Sequence, residues 1–166
     1  MSQPFVHPWY AIRTRSNYEK ITKSVLEAKG YEPYLPLYQV RKKWSDRVVE
    51  SSVPLIPGYV FCPFDSDATV GILSTPGVAS IVGFGEKLAP IPNEEIEAIK
   101  AMLDSGYSVK QWPYLREGQR VKIINGVLTG LHGILVKMKS WKIVVSVEIL
   151  CRSVAVEIEP DYVSAI

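Results

Sequence analysis

Up to about residue 106 the apolar positions switch between a period near two and a period near 3.6; from Arg116 onward only the shorter period remains. Trp9-Tyr10-Ala11-Ile12 predicts a first strand. Ser16 or Asn17 can cap a helix running to about Lys29, with Tyr18, Ile21, Val25 and Leu26 as its apolar stripe and Gly30 at the left-handed C′ position. Extended pieces follow at 32–36 and 37–43, a polar break at Trp44-Ser45-Asp46, and a returning hairpin partner at 47–53. Residues 59–64 form the next strand, Asp67 caps a short helix through Leu73, and 77–82 are extended again. Asn93 then caps a helix with Glu94 and Glu95 in its first turn, where the helix dipole favours negative charge. Its stripe is Ile96, Ile99 and Leu103, and Gly106 ends it.

One strand is apolar on both faces. In Pro54-Leu55-Ile56-Pro57-Gly58-Tyr59-Val60-Phe61, two prolines and a glycine set the entry, after which Tyr59 and Phe61 point one way and Val60 and Cys62 the other. A sheet covered by helices on one side needs only one apolar face for its core. The second face reads as an exposed partner patch, which the pattern alone does not assign to either pair.

Residues 107–115 have no clear period and read as a linker. Beyond them lie several strands of five to eight residues, with turns at Asn125-Gly126 and Gly130, which predict a small SH3-like β-barrel over 116–166. The predicted class is α+β: residues 1–106 as an antiparallel sheet flanked by helices, then the barrel.

Net charge is only +2, yet its distribution is uneven. Residues 1–50 carry nine Lys/Arg against five Asp/Glu, residues 51–105 two against seven, and residues 106–166 eight against five. Such segregation predicts distinct electrostatic faces. The apolar runs are too short to span a bilayer, and Met1–Tyr10 lacks a signal-peptide pattern. Cys62 and Cys151, each in an apolar run, read as buried free thiols of a cytoplasmic protein.

Catalytic chemistry finds little support. His7 lies near the terminus and His132 in a glycine turn; no metal-ligand spacing, nucleophile elbow, phosphate loop or dinucleotide fingerprint occurs. The expectation is a non-enzyme without cofactor or metal. Arg41-Lys42-Lys43-Trp44-Ser45-Asp46-Arg47 places four cations and one anion around a tryptophan at a hairpin tip. Cations there can neutralise phosphates and the Trp can stack on a base or fill a protein pocket; a plain solvated loop has the same composition. Arg13, Arg15, Lys20 and Lys23 form a second cluster, which equally describes the polar side of a helix.

Taken together, Trp9-Tyr10, PLIPGYVF, Thr75-Pro76-Gly77-Val78 with Phe84-Gly85, and Pro90 to Ile96 resemble the N-terminal (NGN) domain of the NusG family of transcription elongation factors. Glu117-Gly118-Gln119-Arg120-Val121 with Gly126 to Gly133 resembles the KOW motif of its C-terminal barrel. The resemblance implies a four-stranded NGN sheet and a transcription elongation or antitermination factor. An apolar groove would dock on the clamp helices of the largest RNA polymerase subunit, formed here by Trp9, Tyr10, Leu55, Ile56, Tyr59 and Phe61 with Phe84 nearby. It assigns Tyr59 and Phe61 to the exposed face. Contacts to non-template or upstream DNA map to Arg15, Lys29 and Thr75 and to the hairpin residues Lys42, Lys43, Trp44 and Arg47. The barrel would recruit a partner such as ribosomal protein S10 or Rho through Leu128 and Leu131. The spelling is most similar to specialised UpxY-like or RfaH-like antiterminators, except that this C-terminal segment reads as strands and predicts an open barrel. The implied protein is a monomer that engages no membrane. A KOW-containing RNA-binding or ribosome-associated protein is the alternative.

Overall fold

The corner at Pro57-Gly58 ties together the first strand, the first helix and the strand that follows. The computed structural model describes residues 7–115, 117–137 and 140–166. Along the chain run β1 (Trp9–Thr14), α1 (Glu19–Ala28), β2 (Leu37–Lys43), β3 (Val48–Pro54), β4 (Tyr59–Pro63), α2 (Thr69–Leu73), β5 (Val78–Ile81), β6 (Gly83–Phe84), β7 (Lys87–Leu88), α3 (Asn93–Asp104), β8 (Val109–Trp112), β9 (Gln119–Ile123), β10 (His132–Lys137), β11 (Trp141–Val147), β12 (Arg152–Glu157) and β13 (Val163–Ala165). By contact the described residues form two compact units, 7–35 with 56–93 and 36–55 with 94–166. The sequence draws its boundary after residue 106; the contact division falls before α3.

In the first unit β1 lies between β4 and β5, antiparallel to both. A fourth lane beside β4 is a single bridge between Tyr34 and Phe61, with backbone bonds of 2.6 and 2.9 Å. Pro36, opposite Tyr59, and Pro63, opposite Glu32, lack the donors that would extend it into a ladder. The register puts Tyr10 and Ile12 with Cys62 and Val60 on one face. Trp9, Ala11 and Arg13 share the other with Pro63, Phe61 and Tyr59.

Gly58 sits at φ +88 with open space where a Cβ would be, so its requirement is the backbone angle alone. Its carbonyl accepts from Thr14 N at 2.9 Å and its N–H donates to Glu19 Oε1 at 3.0 Å. Glu19 is consequently buried, and α1 turns Glu19, Thr22 and Leu26 inward. The stripe read from sequence is therefore corrected: Tyr18 and Ile21 are exposed, and neither Ser16 nor Asn17 caps the helix, which starts after Tyr18 with no side-chain cap bond. The docked carboxylate fixes the helix rotation against the apolar pattern. Tyr18 instead lies against Gly77, whose absent Cβ leaves room for the Tyr18 ring and the Thr22 hydroxyl. Thr22 Oγ1 donates to Pro76 O at 3.1 Å.

The second unit holds the β2–β3 hairpin, paired from Leu37–Pro54 to Lys43–Val48, and α3, which buries Ile96, Ile99 and Met102 rather than Leu103. It also contains a six-stranded antiparallel sheet ordered β13-β9-β10-β11-β12-β8, the strands of the SH3-like barrel. Gly133 lies in β10 where a Cβ would collide with Ile143 and stand 2.8 Å from Val144 O, so glycine permits the close approach of β11. The linker reading is corrected in part: Val109–Trp112 pairs with β12 from Val156 to Ser153. Four residues ended by Pro113 are too few to display a period.

Two of the positive-φ glycines of the first unit, Gly58 and Gly77, separate backbone strain from crowding. Gly58→Ala should cost about 1 kcal/mol through its angle alone, and Gly77→Ala (φ +87, against Thr22 and Tyr18) about 2–4 kcal/mol. Urea unfolding measures both, and equal losses would contradict this account.

Candidate docking and nucleic-acid surfaces

Strand alternation decides which groove residues can share a surface. Trp9, Tyr59 and Phe61 lie on one face of the β1–β4 pair and Tyr10 on the other, where its ring stacks at 4.7 Å on Phe64. Phe61 is fully buried, flanked by β1 and by the Tyr34 bridge, and Leu55 and Ile56 are buried as well. The expectation that Phe61 is openly presented is therefore corrected, as is a single open groove containing Tyr10, Leu55 and Ile56. Trp9 and Tyr59 remain half-buried, and Val60 and Cys62 on the opposite face are fully buried. Phe84 is 74% exposed at the tip of the β6–β7 hairpin. The same unit exposes Tyr18 and Ile21 from α1 and Val70 and Leu73 from α2. Sequence misses the first two because their spacing imitates a core stripe, and Val70 and Leu73 because the five-residue helix has too few turns.

The basic positions fall into two groups. Lys29 Nζ donates to Gly71 O and Thr75 Oγ1, both at 3.0 Å, so its cation sits on the carbonyl end of α2. Thr75 is corrected as a contact residue: it is buried, and its hydroxyl is spent on Gly71 O at 3.0 Å. Arg15 stays exposed while its N–H donates to Gly77 O at 2.9 Å. The second group is the turn of the β2–β3 hairpin, closed by Trp44 N to Arg47 O at 2.8 Å. Lys42, Lys43 and Arg47 are exposed around Trp44, itself 60% exposed, whereas Arg41 is taken by Glu50 at 2.8 Å.

In the C-terminal sheet, the loop between β9 and β10 folds Leu128 and Leu131 inward through turns such as Leu131 N to Leu128 O at 3.0 Å. Both expected partner residues are therefore buried beneath the loop rather than presented at its tip. Val127, beside Gly126, is the more exposed of the loop's two exposed aliphatic residues, the other being Ile124; the Asn125-Gly126 turn locates it, but composition does not say which neighbour points out. Val127, Leu128 and Leu131 line one side of a cleft of about 630 Å³, and Glu94, Glu95 and Glu97 of α3 line the other.

Two groups have displaced acidities. Burial pushes the Cys62 thiol up to about 12. Cys151, against expectation, is exposed: it follows a 3-10 turn in the left-handed region at φ 49, so it is not a strand residue. Burial also holds Glu95 above the ordinary carboxylate range, assisted by the charges of Glu148 and Glu94 and opposed by the hydrogen bond from Glu148 N. No group of three or more His, Cys, Asp or Glu able to hold a metal occurs among the described residues, and no helix there is long and apolar enough to cross a membrane.

An α+β unit and a unit built on a barrel-type sheet, each with exposed apolar loop residues, define a two-module architecture. The family described as transcription termination factor nusG matches residues 7–100, and the chain belongs to the NusG family of transcription termination and antitermination factors. The transcription termination/antitermination protein NusG of Pseudomonas aeruginosa is 29% identical, with 91% of this chain and 94% of that one covered. Its Thermus thermophilus counterpart is 26% identical over the same shares. The fold is similar to a solved structure, "Domain interaction in Thermotoga maritima NusG", with TM-score 0.57 and 24% identity, covering 96% and 97% of the two chains.

Two measurements check the displaced groups. In the native protein at pH 8 a disulfide reagent should titrate Cys151 and spare Cys62, with both reacting in denaturant. Because the folded pKa of Glu95 is raised, its favourable contribution is complete below the unfolded pKa and is lost as pH rises through the folded one. Glu95→Gln should therefore raise the unfolding temperature at pH 7, with the gain shrinking towards pH about 4. A gain that grows on acidification would reverse the assignment.

Proposed function

We propose that this protein acts in the cytoplasm as a monomeric elongation and antitermination factor. Its N-terminal unit would bind the clamp helices of RNA polymerase, and its barrel would recruit a second partner such as ribosomal protein S10 or Rho. The observation that carries this reading is the family match over 7–100, a stretch whose unit exposes Phe84 with Trp9 and Tyr59 half-open beside β4. Rigid presentation favours such docking, because Pro57 and Gly58 fix the entry to β4 before any partner arrives. Phe61, Tyr10 and Ile56 then act as the support under the docking face. The Trp44 turn with Lys42, Lys43 and Arg47 is the DNA-facing element, and Arg15 the exposed cation of the Lys29–Thr75 cluster. The Trp44-Ser45-Asp46-Arg47 spelling supports the specialised-antiterminator form of this reading.

Phe84→Asp should lower capture of purified RNA polymerase about tenfold or more while leaving the melting temperature unchanged, since the ring makes no core. Undiminished capture would remove the docking face. Lys42→Ala with Lys43→Ala should reduce the salt slope of DNA binding by about 2. RNA binding that survives removal of the N-terminal unit would favour the ribosome-associated alternative instead.

A further inference from the structure

The cleft in the second unit combines features that neither the barrel nor α3 has alone. Its floor is apolar, with Leu128, Leu131, Ile134 and Val144 among the lining residues. Its α3 wall carries Glu94, Glu95 and Glu97, while Ala98 and Ala101 keep that wall from filling the space. Among the described lining residues Glu148 adds a fourth carboxylate, against one guanidinium, Arg120, and the imidazole of His132. Existing partners leave this charge poorly answered. Glu97 meets Lys100 at 3.7 Å, Glu148 Oε2 accepts from the Tyr114 hydroxyl at 2.7 Å, and Glu95 Oε1 accepts from Glu148 N at 3.3 Å. Glu95 Oε2 is buried with no hydrogen-bond partner among the described residues.

A buried carboxylate oxygen without a donor costs free energy until a donor arrives. The surplus of carboxylates says that the donor should be cationic. Val127 and Ile166, each 72% exposed, also line the cleft, so part of its apolar lining is open to a partner's side chain. Nucleic acid is excluded by the sign of the charge.

We propose that this cleft docks a partner segment that is both aliphatic and cationic, its aliphatic side chain against Leu128, Leu131 and Val144 and a neighbouring Lys or Arg on Glu95 and Glu148. The inference rests on the reading that the barrel recruits a second partner, and it deepens that reading by naming the partner's chemistry. It also assigns half of the recognition to α3, outside the KOW motif.

The test uses the full chain and a labelled synthetic peptide, acetyl-Lys-Leu-Ile-Arg-Gly-Lys-Leu-Ile-Arg-amide, followed by fluorescence anisotropy. A control peptide carries Glu at every cationic position. The cationic peptide should bind and the acidic one should not. Glu95→Gln with Glu148→Gln should weaken binding about tenfold, Val127→Ser should weaken it, and Glu86→Gln with Glu159→Gln should leave it unchanged. Melting curves confirm that each variant is folded. Equal weakening by both Gln pairs, equal binding of the acidic peptide, or no binding of the cationic one overturns the proposal. Binding that depends on Val127 but ignores Glu95 and Glu148 also overturns it, yet leaves partner recruitment by the barrel standing. Loss of polymerase capture by Phe84→Asp is scored separately, so failure of either reading is visible by itself.

Discussion

Three segments of the first unit meet at one residue. Gly58 gives its carbonyl to the end of β1 and its N–H to the carboxylate that begins α1, and from there the chain enters β4. A left-handed φ is required at the point where both backbone groups are claimed, so glycine is the residue that satisfies all three at little cost. The consequence runs through the unit. With Glu19 docked, α1 can present only Glu19, Thr22 and Leu26 inward, which leaves Tyr18 and Ile21 outside. With β4 entered in this register, Tyr59 falls on the face of Trp9 and not on that of Tyr10. The apolar surface of the unit is thus set by a backbone hydrogen-bond pattern before hydrophobicity has a say.

That ordering explains what could be read from the chain and what could not. The strands at 9–14, 37–43, 48–54 and 59–63, the helix opening near Asn93 and the strand-rich C-terminal third all follow from period, turn residues and β-branched density. Side-chain direction at the functional positions does not. Phe61 looks like a docking residue until a single bridge from Tyr34, bounded by two prolines, closes its edge. Thr75 looks like a polar contact until its hydroxyl is spent on Gly71 and its neighbour Lys29 caps α2. Leu128 looks like the loop tip, but the turns from Gly126 to Leu131 fold it under and raise Val127. Each miss is a tertiary hydrogen bond between residues far apart in sequence, or a local turn whose handedness composition does not record.

The hairpin tip is the converse case, legible because nothing tertiary intervenes. Lys42, Lys43 and Arg47 sit at the end of a ladder that also pairs Arg41 with Glu50, so the local alternation alone determines which cations are neutralised. Exposed pairs of that kind contribute little to stability. Their effect is to leave a compact group of exposed cations around an exposed indole, the composition on which the proposed DNA contact rests.

Charge segregation, visible in the residue counts, acquires a meaning once the carboxylates are placed. Four of the seven acidic residues of the middle segment, Glu94, Glu95, Glu97 and Asp104, lie in α3, and three of these line one wall of the cleft. The basic excess of the first fifty residues is carried in part by the Trp44 turn. An acidic wall over an apolar floor repels phosphate and attracts basic peptide; a basic turn around an indole does the reverse. At physiological salt the field of an exposed charge fades within about 8 Å, so the sign at each surface is set by the charges nearest to it and not by the net charge of the chain. A near-neutral total is thus compatible with one acidic and one basic surface, because the charges are sorted by element.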